Sequence, residues 1–406
     1  VSGAALDRVF REASARIIGA LASRFRDIAL AEDAFAEACA RALEQWPVTA
    51  VPVDPAAWLY QVAARVALDS LRRRKTHQQL APLREEVADE IDLGEDAVIP
   101  DERLRLIFIC CHPAVSVDAR AALTLRLVCG LSAQEIARAF LVPETTLAQR
   151  LTRAKQKIAD AGVPFEVPGP HEWTERLDAV LSTLEVAYAK AHEDAAGAGA
   201  HAHYAAEMLI LSATTAALMP AEPDVLATAA MIRLSEARRP ARVNENSEMV
   251  PLSEQNPRDW NHELIHDGLQ YLERAIQIDP NRARVVHARI HARWCRRRNL
   301  AEPAPWPDIL TLYDQYVAVQ DSSVVRLNRA VALAEVESPA AALDEIDLLN
   351  ETQLRNYAPY HAVRADLLRR TGDLTAAAEA YEKALALVST SVERAWLSTQ
   401  KACMTP

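Results

Sequence analysis

The chain has 406 residues, a length that implies two or three domains. Half of it is hydrophobic but only 5% is aromatic, and Ala, Leu, Glu and Arg dominate without a long alternating run of β-branched residues, so the composition reads as all-α. The formal charge of -11 excludes a uniformly cationic nucleic-acid binder, and any DNA contact has to rest on local basic patches.

The six cysteines, Cys39, Cys110, Cys111, Cys129, Cys295 and Cys403, form no CxxC pair and no regular framework. They read as reduced thiols in a cytosol. No apolar run approaches the roughly 18 residues of a membrane span, and the first residues lack a signal-peptide apolar stretch. The expectation is a cytoplasmic protein with no membrane partner.

Residues 4–25 read as a first helix. A second, 30–46, places Ala31, Ala34, Phe35, Ala38, Ala42 and Trp46 on one face. The stretch PVTAVPVDP at 47–55 carries three prolines and reads as a loop. It leads into a helix at 56–75 whose apolar face holds Trp58, Leu59, Val62, Val66, Leu68 and Leu71 and which ends in four cations. A cationic helix end is usually a solvated face. Here it follows a Pro-rich loop, and Trp58 and Tyr60 offer stacking surfaces, so single-stranded nucleic acid is the competing reading.

Residues 76–100 lack periodicity and are crowded with carboxylates, the pattern of a flexible acidic linker. Four short helices follow, at about 101–111, 117–129, 133–140 and 144–160. Ser132 and Glu135 stand in capping-box spacing, and Pro143 is expected at the first position of the fourth helix. The last pair fits a helix-turn-helix. Leu147, Leu151, Ala154 and Ile158 would face inward, with Thr145, Thr146, Gln149, Arg150, Arg153 and Lys157 outward toward base edges and phosphates. A helical hairpin with no DNA role is the bland alternative.

A break at 163–170 closes this part. Beyond it, residues 360–387 carry Ala365, Gly372, Ala377, Tyr381 and Ala384 at tetratricopeptide (TPR) spacing, with weaker copies at 268–283 and 326–343. The polar interruption 238–260 reads as an ordered loop or lid.

Two metal-like motifs compete. HELIH at 262–266 matches HExxH, with His262 and His266 as ligands and Glu263 as base, and His287 and His291 repeat the spacing. The continuation fails, because Leu272 occupies the third-histidine position. Cys110-Cys111-His112 lacks further ligands nearby and reads as core.

Taken in order, AEDAFAEACARALEQWP, AWLYQVAARVALDSLRRRK, the acidic linker, and LTLRLVCGLSAQEIARAF with LVPETTLAQRLTRAKQKI resemble sigma-70 family factors of the extracytoplasmic-function (ECF) type. The segment DERLRLIFICCHPAVS and the TPR-like tail resemble the group carrying a C-terminal extension. The resemblance implies sigma region 2 at 1–75, a linker at 76–100, region 4 at 101–162 and a regulatory TPR-like domain at 171–406.

It further implies that Asp33, Glu37 and Arg41 dock on the β′ clamp helices of core RNA polymerase, and that region 4 meets the β flap. Ala36 and Cys39 stand where the family usually has Gln and an aromatic. Trp58, Arg65, Asp69, Arg72, Arg73, Arg74 and Lys75 would face −10 DNA, and the 47–55 loop would capture a flipped base without the usual Gly-containing pattern. Thr145, Thr146, Gln149, Arg150, Arg153 and Lys157 would read the −35 element, with Ala148 replacing a common Lys. The implied function is promoter choice and melting, with catalysis left to polymerase and no cofactor or metal. The implied tail contact is intramolecular, onto the sigma regions. A polymerase-independent TPR-scaffold regulator and a HELIH zinc hydrolase are the alternatives.

Overall fold

The computed structural model describes residues 2–77, 103–128, 132–140, 142–165, 173–193, 200–245, 248–349, 354–388 and 391–403. The acidic stretch 78–100 therefore lies outside the described residues. The described elements are helices and short 3-10 turns, with one isolated β-bridge, Val243 to Met249. The all-α expectation is met. Two compact units divide between Ala187 and Tyr188.

The first unit begins with α1 (Ser2–Phe25), α2 (Ile28–Thr49) and α3 (Pro55–His77), which pack on one another. Asp27 caps α2, its carboxylate accepting from the Leu30 N–H at 2.9 Å. The face foreseen for α2 is the buried one: Ala31, Ala34, Phe35, Ala38, Ala42 and Trp46 are all core. The expected loop at 47–55 is shorter than predicted, because α2 runs through Pro47 to Thr49. Proline removes one ladder donor but cannot break a turn already fixed from its N-terminal side. The helix stops at Ala50, whose φ of 75° is unusual without glycine and whose N–H donates back to the Trp46 carbonyl. Asp54 then caps α3 by accepting from the Ala57 N–H at 2.9 Å.

α4 (Arg103–Cys110), α5 (Val117–Leu127), α6 (Ala133–Phe140) and α7 (Glu144–Asp160) complete the helix-turn-helix part. Pro143 is the N-cap of α7, one position earlier than foreseen. Leu147, Leu151, Ala154 and Ile158 are buried as predicted. α8 (Trp173–Glu193) follows, and the division between units falls within it.

The second unit is built around α10 (Pro223–Ala237), which lies against α9 (Ala200–Leu218), α11 (His262–Ile278) and α12 (Ala283–Cys295). Nearly every residue of α10 is buried, Arg233 among them. Arg233 donates to Ser212 Oγ and to the carbonyls of Ala229 and Leu209, and lies 4.6 Å over the Tyr271 ring. Within the 238–260 interruption the described residues, 238–245 and 248–260, form 3-10 turns at Arg239–Ala241, Leu252–Glu254 and Pro257–Asp259, with Gln255 and Trp260 buried. Helix pairs continue through α13 (Trp306–Val319), α14 (Ser323–Val336) and α15 (Pro339–Asp347). In the hairpin Ala358–Thr371 and Leu374–Leu387, Gly372 closes the first helix at φ 92° while Ala365, Ala377, Tyr381 and Ala384 are fully buried.

Two packing details of this unit are testable. A Cβ on Gly268 would stand 2.9 Å from Leu234 Cγ and 3.2 Å from Arg233 Cβ, so α11 approaches α10 only because position 268 has no side chain. Gly268→Ala is expected to destabilise the protein by about 1–3 kcal/mol despite its better helix propensity, read as a lower urea midpoint. The second detail is a polar relay on α12. Arg238 Nη2 donates to His291 Nδ1 at 2.9 Å, leaving the Nε2 proton of His291 to face His287 Nε2 at 3.4 Å. His287 also stacks on Tyr316. Burial, helped by the charge of Arg284, pulls the His287 imidazole from 6.5 to about 4. The unfolded chain protonates this ring near pH 6.5 and the folded unit only near 4, so its stabilising effect is complete above 6.5 and is lost between 6.5 and 4. The loss should be roughly 3 kcal/mol. His287→Phe should flatten that acid limb in urea titrations at matched pH.

Candidate nucleic-acid interface

The exposed side of α7 carries Thr145, Thr146, Gln149, Arg153 and Lys157, with Arg150 half-buried beside them. Their order follows from the inward stripe: with Leu147, Leu151, Ala154 and Ile158 anchored, positions between them turn outward by helical period. Thr146, Gln149, Arg150, Arg153 and Lys157 line one wall of a concave site of about 320 Å³, whose other wall is Val115, Ser116 and Ala119. Ser116 is the N-cap of α5 but makes no side-chain cap bond. The start of α5 and three cations of α7 thus border one hollow, an electrostatic setting for an anionic group. Arg120 shapes this wall by donating to the carbonyls of Val115 and Pro113.

On α2, Asp33 and Glu37 are exposed and Arg41 half-buried, and Glu37 accepts from Arg41 Nε at 3.0 Å. The three stand one helical turn apart, forming a single polar strip. Ala36 is exposed and Cys39 half-buried beside it; burial pushes the Cys39 thiol up to about 11. On α3, Arg65, Asp69, Arg72 and Arg73 are exposed, with Arg72 Nη1 3.7 Å from Asp69 Oδ1. Arg74 and Lys75 belong to the same helix, but their side chains lie outside the described ones. Trp58 is half-buried and meets the buried Trp46 edge-on at 5.5 Å, so one part of its ring is core and the other reaches the surface. Tyr60, the other stacking candidate, is buried. Val48 and Val53 project fully into solvent around the turn between α2 and α3.

Of the two metal-like motifs, HELIH lies at the surface and the cysteine pair in the core. His262, Glu263 and His266 are exposed on the first turns of α11, where Asn261 is the cap, and His266 pairs with Gln270. Among the described residues no three His, Cys, Asp or Glu side chains converge on a metal-sized point. His291 Nδ1 accepts from Arg238, so its Nε2 carries the proton and has no lone pair for a metal. Among the described residues the HELIH histidines therefore have no third ligand beside them. Gly268, on the same helix, serves the close contact with α10. Cys110 and Cys111 are core, and Cys111 Sγ donates to Thr183 Oγ1 at 3.5 Å.

Three side chains beside the reading helix were not singled out by sequence. Ser116 borders the hollow, while Arg126 and Lys155 are turned toward Glu32 of α2. Lys155 sits between the outward positions 153 and 157, and helical period alone marks it as lateral; its partner is 123 residues away and invisible to local pattern. Among the described residues, no helix is long and apolar enough to cross a membrane.

Residues 9–77, on α1–α3, match the family described as Sigma-70 region 2, and residues 105–158, on α4–α7, match Sigma-70, region 4. Residues 176–276 match a family of unknown function, DUF6596. The chain is 37% identical over 407 residues to the Uncharacterized protein R00370 of Rhizobium meliloti (strain 1021), spanning 97% of this chain and 95% of that one. With both sigma regions present in order on the helices that carry the cationic faces, the chain belongs to the sigma-70 family and is a promoter-recognition factor acting with RNA polymerase core and promoter DNA.

Proposed function

We propose that the protein is an alternative, ECF-type sigma factor acting in the cytoplasm, with residues 1–75 as region 2, 76–100 as an acidic linker, 101–162 as region 4 and 171–406 as a TPR-like regulatory domain. The observation that carries this reading is the α7 face. It combines Thr145, Thr146 and Gln149, able to meet base edges in a major groove, with Arg150, Arg153 and Lys157 suited to phosphates. The start of α5 borders the same hollow.

Region 2 does the second half of the work. Arg65, Asp69, Arg72, Arg73, Arg74 and Lys75 run along α3 toward −10 DNA. The free part of the Trp58 ring and the exposed Val48 and Val53 offer apolar faces to an unstacked base. Stacking and base capture offset part of the cost of unpairing. Asp33, Glu37 and Arg41 form the strip that would meet the β′ clamp helices, and region 4 would meet the β flap. The acidic linker suits polymerase's cationic RNA-exit path. No residue of this chain is assigned a bond-making role.

Transcription from a matched promoter by core polymerase should depend on this protein, whereas duplex binding without initiation would favour a polymerase-independent regulator. Arg153→Ala with Lys157→Ala should weaken binding across all −35 sequences and flatten the log affinity–log salt slope by about 2. The helical pairs after 188 support a regulatory tail. Removing residues 188–406 is expected to change transcript yield, and equal yields with and without them would eliminate that role.

A further inference from the structure

Residues 281–300 hold seven arginines and not one aspartate or glutamate, in a chain whose formal charge is -11. They form α12 and its flanks. Some of these cations are engaged in packing: Arg297 is buried among carbonyls, and Arg282 pairs with Asp224 at 2.9 Å. Arg289, Arg293 and Arg296 recur at i, i+4 and i+7, and so share one side of the helix. Arg289 Nη1 donates to the neutral Gln315 Oε1 at 3.0 Å, and Arg293 Nε donates to Asp308 Oδ2. Both acceptors are on α13, so the stripe runs along the side of α12 that borders α13. Arg296 is exposed and has no acidic partner among the described residues.

Ordinary helix chemistry does not account for the stripe. The helix dipole favours a cation at the C-terminal end, where Arg296 stands, but not one at mid-helix, where Arg289 stands. A solvated surface normally interleaves both signs, and here Asp308 alone among the described residues bonds the three arginines. A protein partner needs an aliphatic or aromatic anchor, and a lipid surface needs apolar side chains to insert. The exposed large apolar residues nearest in sequence are Leu300 and Val319, one beyond the end of α12 and the other closing α13. Between them α13 offers the exposed Thr311 and Gln315 instead. Guanidiniums flanked by neutral polar groups suit phosphate oxygens, which each planar fork can hold in pairs. From Arg289 to Arg296 the helix rises about 10 Å, the length of roughly three phosphates along one strand of a duplex.

We propose that the Arg289–Arg293–Arg296 stripe is a further nucleic-acid surface, which holds the phosphate backbone of duplex DNA irrespective of base sequence. It lies in the second unit and is additional to the DNA faces of α3 and α7. It rests on the sigma reading for the bound duplex being promoter DNA, but not for the surface itself. A contact of this kind raises the affinity of the whole chain through effective concentration and adds no base readout. The C-terminal unit then takes a direct part in holding DNA.

The test uses the full chain and a labelled duplex of arbitrary sequence, with binding followed by anisotropy over a range of salt. The background carries Arg153→Ala and Lys157→Ala, so that α7 contributes least. Adding Arg289→Gln with Arg296→Gln should weaken binding about tenfold and flatten the log affinity–log salt slope by about 2. Arg355→Gln with Lys383→Gln removes the same charge from exposed positions elsewhere in the unit and should change neither quantity. Circular dichroism and the urea midpoint check that each variant is folded. Unchanged binding in the Arg289→Gln, Arg296→Gln chain would overturn the proposal, as would an equal loss in the charge-matched control. A second measurement removes no charge. A photo-crosslinking amino acid at Thr311, between Asp308 and Gln315 on α13, should label the duplex, and one at the exposed Glu379 should not. Crosslinks from position 311 to polymerase subunits and none to DNA make the stripe a protein-docking surface and overturn the assignment. If position 311 labels DNA but the chain supports no transcription with core polymerase, the surface stands and the sigma reading fails.

Discussion

Helix α4 has no face to give to water over Leu106–Cys111, and the first unit is arranged around that constraint. An amphipathic helix can sit at a surface, but one apolar on every side needs neighbours on every side. α1 and α5 supply two of them, and Thr183 of α8 reaches the Cys111 thiol. Burial also settles the chemistry of the paired cysteines. The thiol of Cys111 is pushed up to about 11 by desolvation, which suits packing and disfavours thiolate chemistry.

The second unit solves a different problem, that of buried cations whose hydrogen bonds go mainly to neutral acceptors. Arg233 is answered by a serine, two carbonyls and an aromatic face; Arg238 by His291 and Cys295; Arg297 by the carbonyls of Ser253, Leu300 and Glu302. A guanidinium suits this role because its planar fork can satisfy several acceptors at once. The Arg297 bonds tie the 3-10 segment at Leu252–Glu254 to the turn after α12. Small residues do the remaining work, with Gly268 and the alanines of 358–387 setting how closely helix axes approach.

Much of this was legible in the sequence wherever one helix faces one core. The inward stripes of α2 and α7 follow directly from 3.6-residue periodicity, and so does the outward α7 strip. Boundaries governed by a single turn were less legible. Pro47 reads as a breaker but falls in the last turn of α2, where only one donor is lost. Gly268 is a different case: its missing side chain serves the approach of α10, which no local pattern reveals. Glu32, Arg126 and Lys155 were illegible for a simpler reason. Each is an ordinary charge on an ordinary helix, and only the fold brings residues 32, 126 and 155 together.

Net charge and DNA binding are reconciled by range. With 56 acidic against 45 basic side chains, the chain as a whole repels a polyanion at distance. At physiological salt that repulsion is screened beyond about 8 Å, so contact is decided by the few charges facing the phosphates. Arg150, Arg153 and Lys157 are the cations gathered on the outward side of α7, while Lys155 and Arg126 are already paired with Glu32. Two modest sites on one chain bind strongly only when both can engage at once, because the second then acts at high effective concentration.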